Sequence, residues 1–386
     1  MRKSALFLFG LVVTVIVALG LVILSSASEA NGVRLHNDAY FFMKRQFMYL
    51  AVGIVVAVMA AMVDYRIWRN HPWLAWLAFA VVMVLLMAVF AYKPVNGSHR
   101  WISLGPVRLQ PSEMAKLITV ILVSIWLDRA GWRVELFMRG AFWPAVIIGV
   151  ICLPILLEPD FGSVMVIGLV GFLMMFVAGV RFVHMMPFMA VGGAVFLYKV
   201  FTNQNRMARI AAFLGIKIDV GAEVMDEAAE RASYQVKQAL VAFKNGGISG
   251  VGLNQSMQKH FYLPEAHTDF IFAIGAEELG LWFSAGALFL FFAFFALAVY
   301  IARNASDRFG RFLVMGMTFI IFFQTMFNIG VVCEAFPTKG MALPFFSYGG
   351  TNLLCAFFSV GTILSVGIHS YRDRRRTFAS KVFMRG

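Results

Sequence analysis

Charge is scarce in this chain: of 386 residues 14% are charged against 61% hydrophobic, and the mean hydropathy is +0.79. Acids are scarcer still, 20 against 33 Lys and Arg, leaving a formal net charge of +13. That excess does not read as a nucleic-acid footprint, because the basic residues are scattered over short loops and the tail with no soluble segment to carry a binding face; anionic lipid is the better counterpart. Cysteine is nearly absent. Cys152, Cys333 and Cys355 are odd in number, lie in or beside apolar runs and lack metal-ligand spacing, so they read as packing residues, with a bridge between Cys333 and Cys355, which flank one loop, as the lesser alternative. Alternation of apolar and polar residues is missing from the apolar stretches, which excludes a lipid-exposed β architecture. No lysine-hydroxyl pair follows Gly246, Gly247, Gly250 and Gly252, so that glycine run reads as a turn and not as a phosphate cradle.

What is present is one apolar run after another, each long enough to cross a bilayer. The pattern predicts an all-α polytopic membrane protein, a single domain over 1–386, with about ten spans near 5–25, 46–63, 73–92, 113–127, 142–157, 162–179, 182–201, 269–301, 310–333 and 350–369. The fourth and fifth are short, and Pro111, Pro144, Pro154 and Pro159 predict kinks or tilts there. The first run resembles a signal peptide but is too long for a cleaved one. Lys and Arg collect in alternate loops and in the tail 370–386, which places both termini in the cytoplasm. The segments richest in Gly, Pro and charge (96–112, 158–162, 202–268 and 334–350) then share the outer face, which argues against a reaction fed by cytosolic ATP. The large loop 202–268, between the seventh and eighth spans, carries two amphipathic stretches that read as interfacial helices, joined by a mobile acidic segment, 219–231.

The stretch YLPEAHTDFIFAIGAEELG from Tyr262 to Gly280 organises the rest. Glu265, His267 and Asp269 sit where an apolar span begins. Asp269 reads equally as a helix N-cap and as a working acid, since a partly dehydrated carboxylate at a membrane boundary must pair, cap or act. His260 and His267 fit no common metal spacing. Arg100 and Arg108 lie among turn residues, and after Pro111 come Ser112, Glu113 and Lys116: structurally a cap and an i, i+3 ion pair, functionally cations where an anionic headgroup fits. Lys116 lies a turn inside its span and needs a partner, for which Asp269 and Asp160 are candidates. The loop PTKGMALPFFSYGG from Pro337, with Lys339 and Ser347, has the backbone punctuation of a cavity wall. Glu277 and Glu278 are costly charges inside the eighth span.

Four segments in this order, NGSHRWISLGPVRLQPSEMAKL from Asn96, EPDFG from Glu158, GGISGVGLNQSMQKHFYLPEAHTDFIFAIGAEELG from Gly246 and PTKGMALPFFSYGG from Pro337, resemble the FtsW/RodA/SpoVE family of shape, elongation, division and sporulation proteins. The PTKG segment and the NG ahead of Arg100 are more similar to the division branch than to the elongation branch. The resemblance implies a peptidoglycan glycosyltransferase that polymerises lipid II at the outer face of the bacterial inner membrane during division. Its expected partners are a class B penicillin-binding protein and other membrane proteins of the division machinery. It makes Asp269 the essential acid, Glu113 and Lys116 cavity residues, Asp160 an outer acid and Lys339 the loop lysine; Glu113, Lys116, Asp160 and Lys339, with Arg100, Arg108, Glu265, His267 and Ser347, are the substrate-binding candidates. A divalent cation, Mg or Mn, stays open. A lipid II flippase and a septal scaffold remain as alternatives.

Overall fold

The computed structural model describes residues 3–92, 99–105, 107–214, 223–260 and 262–383. In chain order its helices are α1 (Lys3–His36), α2 (Phe41–Met62), the single turn α3 (Ile67–Asn70), α4 (Pro72–Ala88), α5 (Pro111–Ala130), α6 (Trp143–Leu157), α7 (Phe161–Ala178), α8 (Phe182–Phe201), α9 (Gln204–Leu214), α10 (Glu223–Gly246), α11 (Ile271–Arg303), α12 (Arg308–Val332) and α13 (Gly350–Phe383). A small hairpin, β1 (Ile102–Leu104) with β2 (Val107–Leu109), precedes α5 and turns through Gly105 at φ +65°. It is the one departure from an all-helical chain among the described residues.

Nine helices among the described residues are long and apolar enough to cross a membrane. The tenth expected span is α5, which carries Glu113, Lys116, Asp128 and Arg129 and is too polar to qualify by composition, yet has 20 residues and is buried along most of its length. Its polarity is tolerable because α4, α6, α7 and α12 pack around it and keep it from lipid. Neither of the spans expected to be short is so: α5 begins at Pro111, and a π-helical turn, Phe137–Phe142, runs into α6. Both termini lie at one end of the bundle, where Lys3 sits 5.8 Å from the Tyr371 ring.

The sharpest break is in α11. Gly280 has φ 68° and ψ −155°, so the helix is two pieces, a short one ending at Leu279 and a long one from Leu281. The glycine run crosses at this break. Val251 and Gly252 donate to the carbonyls of Glu277 and Glu278 at 3.0 Å each, and Leu281 donates back to Gly247 at 3.0 Å. A Cβ at Gly250 would lie 2.1 Å from the Glu278 carbonyl oxygen, so this loop is a close backbone contact, as its turn reading implies. Glu277 accepts from Ser256 Oγ, from Asn245 Nδ2 at 3.1 Å and from the Gln258 amide at 3.2 Å. Glu278 accepts from Ser26 Oγ and lies 3.6 Å from Lys259. Both acids are therefore paired inside protein, which answers the cost of placing them in an apolar run.

Three expectations need correction. The segment 219–231 was expected to be mobile and is helical from Glu223, while 219–222 lie outside the described residues, as do Asn96 and Gly97. Cys333, expected to pack, is exposed, whereas Cys152 and Cys355 are buried; all three are free, as their reading as packing residues implies. The first helix continues to His36, well past the expected end at 25.

Candidate active site

At the end of the bundle opposite the termini, four loops that are far apart in sequence converge. Asn328, buried in α12, joins two of them: its Nδ2 donates to the Asp269 carbonyl at 2.7 Å and to the Met341 carbonyl at 2.6 Å. Ser347 Oγ completes the joint, accepting from the Leu343 amide at 2.7 Å and donating to the Thr268 carbonyl at 2.5 Å. The Tyr348 amide adds a bond to the His267 carbonyl at 3.0 Å. These bonds press the loop of Lys339 and Gly340 against the loop of Asp269.

Asp269 does not cap α11. The N-cap is Phe270, and no side chain bonds there. The carboxylate lies instead over Gly340, where a Cβ would come within 2.4 Å of Oδ2. It is half-buried, and no described residue lies within hydrogen-bond or ion-pair distance of its oxygens. Burial, reinforced by Glu265, pushes its pKa up to about 7 against the pull of Arg100 and Arg209.

Lys339 faces the start of α7, where its Nζ would lie 2.9 Å from a Cβ at Gly162 and is 5.9 Å from the Phe161 ring. Burial lowers its pKa to about 7; Asp160 opposes this, while Arg100, Arg206 and Arg209 add to it. Arg206, in α9, stacks on Phe161 at 3.6 Å. Arg209 reaches the Thr338 carbonyl at 3.5 Å. Arg100 donates to the carbonyls of Pro159 at 2.6 Å and Glu158 at 3.4 Å, fixing the acidic turn. Asp160 caps α7 through the Ser163 amide and accepts from Ser163 Oγ at 2.7 Å and Ser112 Oγ at 2.9 Å. Burial alone would raise its pKa, but Arg100, Lys339 and those two hydroxyls outweigh it and hold Asp160 ionised. Glu158 is fully buried, neither oxygen has a hydrogen bond among the described residues, and burial, reinforced by Asp160, pushes it up to about 8 against the pull of Arg100, which favours its neutral form. The result is one acid, Asp269, under the charges of Arg100 and Arg209, next to a cluster in which the same two arginines and Arg206 act on Lys339.

The model of the FtsW/RodA/SpoVE family, described as a cell cycle protein, matches residues 6–372. The chain belongs to this family. Its relatives include the probable peptidoglycan glycosyltransferase FtsW of Coxiella burnetii, 35% identical over 91% of this chain and 93% of that one, and the protein of the same name from Nitrosococcus halophilus, 37% identical over 95% and 92%. The fold is similar to a chain of a peptidoglycan synthase complex solved for its coordination of polymerization and crosslinking, with a TM-score of 0.72 and 24% identity over 95% of this chain and 98% of that one. It is also similar to the rod shape determining protein RodA of Thermus thermophilus, with a TM-score of 0.65 and 24% identity over 94% and 96%.

Against the family's pattern, the expected site residues divide. Asp269, Lys339, Arg100 and Asp160 converge, with Glu265 near enough to act on Asp269. Lys116 does not join them: it pairs with Glu113 at 2.6 Å, both side chains nearly inaccessible, and Gln324 donates to the other Glu113 oxygen at 3.3 Å. Neither Asp269 nor Asp160 is its partner. Ser347 is buried and holds backbone together. His267 lies against α1 and α2, bonded to Asn31 at 3.1 Å and packed on Phe42 at 4.8 Å. Arg108 is exposed on β2, and its charge acts with that of Arg45 on Tyr348. No group of three or more His, Cys, Asp and Glu among the described residues is placed to hold a metal ion. Sequence reasoning missed Arg206, Arg209, Asn328 and Gly340. The two arginines were visible only as the charged edge of an amphipathic stretch, and nothing local marks the other two.

Proposed function

We propose that this protein is a peptidoglycan glycosyltransferase that polymerises lipid II at the outer face of the bacterial inner membrane, at the division septum. The observation that carries the reading is the Asp269 carboxylate, without a hydrogen-bond partner among the described residues and acted on by Arg100 and Arg209, the same two arginines that act on Lys339. The names of the relatives support it. Asp269, in its ionised form, takes the proton from the 4-hydroxyl of the acceptor GlcNAc as that oxygen attacks the anomeric carbon of the donor. The bond from that carbon to the diphosphate breaks, and undecaprenyl diphosphate leaves with the electron pair. An α-linked donor and one displacement give a β-linked product. The leaving group departs as an anion and needs no proton, so one carboxylate suffices where a glycosidase commonly needs two. Lys339, Arg206, Arg209 and Arg100 receive its charge. Asp160 keeps the cations from repelling each other apart without itself touching sugar. A class B penicillin-binding protein fits as partner, since the similar chain of known structure acts in polymerization and crosslinking together.

A second reading has one observation in its favour: α11 is a broken helix, and broken helices line the sites of transporters. Purified full-length protein with labelled lipid II separates the two. Polymerisation by the wild type and none by Asp269→Asn is expected. Movement of unpolymerised lipid II across vesicles, with no glycan formed, would establish the flippase instead. Normal division with Asp269→Ala would reduce the chain to a scaffold.

A further inference from the structure

At the end that carries both termini, α1 and α13 approach closely. A Cβ at Gly367 would lie 2.4 Å from Leu6 Cδ2, so the glycine is what lets the helices touch. Just beyond this contact is a recess of 490 Å³. Its rim is Lys3, Arg372, Arg375 and Arg376, and its floor is Leu6 and Ile368. Tyr371 stands between two of the cations, 5.8 Å from Lys3 and 6.0 Å from Arg375.

Among the described residues one acid, Asp373, acts on the rim, through Arg376. The nearest acid in sequence, Asp373, is turned to Arg66 at 2.5 Å, and Asp307 is also bonded to Arg66, at 3.0 Å. Arg374 is taken by Asn304. None of the four rim cations makes an ion pair within 4 Å to a described residue. Four like charges around one recess repel each other unless an anion sits among them. A free phosphate would satisfy the rim and leave the apolar floor wet. A phosphodiester carrying two acyl chains uses both, and a basic pocket between spanning helices is where such headgroups bind.

We infer that this recess binds one anionic phospholipid, its phosphodiester among Lys3, Arg372, Arg375 and Arg376 and its chains leaving over Leu6 and Ile368. The site lies at the opposite end of the bundle from Asp269 and does not depend on the reaction proposed above. Its effect is to fasten the first turn of α1 to the end of α13.

The test uses full-length protein in nanodiscs of phosphatidylcholine with a minority of phosphatidylglycerol, followed by native mass spectrometry of the lipid that stays bound. The wild type is expected to keep one phosphatidylglycerol with about tenfold preference over phosphatidylcholine. The Lys3→Gln/Arg372→Gln/Arg375→Gln variant is expected to lose that preference. A control, Arg133→Gln/Arg139→Gln, removes exposed charge elsewhere and should keep it. The inference is overturned if the triple variant holds as much phosphatidylglycerol as the wild type, if the control loses as much, or if glycerol phosphate displaces the lipid. Should the triple variant melt early in pure phosphatidylcholine, Arg375→Gln alone carries the test: a partial loss of preference supports the site, and no loss overturns it.

Discussion

The two ends of the helix bundle treat charge in opposite ways. At the end that carries the termini, Arg66 meets Asp307 at 3.0 Å and Asp373 at 2.5 Å, Tyr65 donates to Asp307 at 2.7 Å, and Arg69 meets Asp128 at 3.0 Å. There the paired groups hold α2, α12 and α13 together. At the other end the side chains of Asp269 and Lys339 are crowded by protein and share Arg100 and Arg209 as neighbours but are bonded to none of the described residues. Charges that have met their partners hold a fold; charges kept apart in a recess are available to something else. The basic recess between α1 and α13, at the paired end, is read as a site on the same ground.

That contrast breaks most sharply at its two acids. Asp269→Asn should lower polymerisation by about 10²- to 10⁴-fold, the usual worth of a general base, without lowering the melting midpoint, because it removes a charge whose burial and whose neighbour Glu265 outweigh the attraction of Arg100 and Arg209. Asp307→Ala should do the reverse: it loses the cap on the Gly310 amide and the bonds to Tyr65 and Arg66, costing about 2–4 kcal/mol of stability while the folded fraction keeps its activity. If Asp269→Asn melts as early as Asp307→Ala, the acid is structural and the distinction between the ends fails. Next in size is Gly340→Ala. The added methyl would stand 2.4 Å from Asp269 Oδ2, and a displacement of about 1 Å at a reacting group costs about 10²-fold, expected in kcat more than in KM. Unchanged kcat would mean that Asp269 is not held by this loop. Smaller again is Asn328→Leu, which frees the carbonyls of Asp269 and Met341 and should cost about 1–3 kcal/mol with a loss of about tenfold in kcat.

Much of this was legible in the chain. Ten helical spans follow from apolar run lengths, and even α5, the polar one, was marked by its run between Glu113 and Leu127. Asp269 was singled out because an acid at the start of a span has few reasons to be there. The choice between capping and working was not legible, since it depends on whether Asp269 or Phe270 is the first non-helical residue, a one-residue matter of backbone angle. Lys116 was local after all: the i, i+3 spacing already contained its partner, and no distant carboxylate was needed. The contacts that bring the loops of the site together are distant, Asn328 with Asp269 across 59 residues and Arg209 with Thr338 across 129, and periodicity carries no information at that range. The break at Gly280 was hidden for the same reason, because it depends on the loop at Gly250 filling the gap.

The finest test of the contrast is the pH profile. Asp269 must be unprotonated to act as a base and Lys339 protonated to receive the diphosphate; both titrate at about 7, one raised and one lowered by burial first. For the free enzyme, kcat/KM should therefore form a narrow bell centred near neutral, rising as Asp269 loses its proton and falling as Lys339 loses its own. Once the diphosphate is bound, its negative charge holds the proton on Lys339, so in kcat the alkaline limb should move upward. Glu265 sets the acid limb, being the charge that raises Asp269 after burial, and its own carboxylate is exposed and bonded to Thr268 Oγ1 at 2.8 Å. Glu265→Gln should move the acid limb to lower pH and leave the alkaline limb in place. Because Glu265 acts through solvent, the difference between wild type and variant should shrink as salt is raised. An acid limb that ignores both the substitution and the salt would belong to some group other than Asp269.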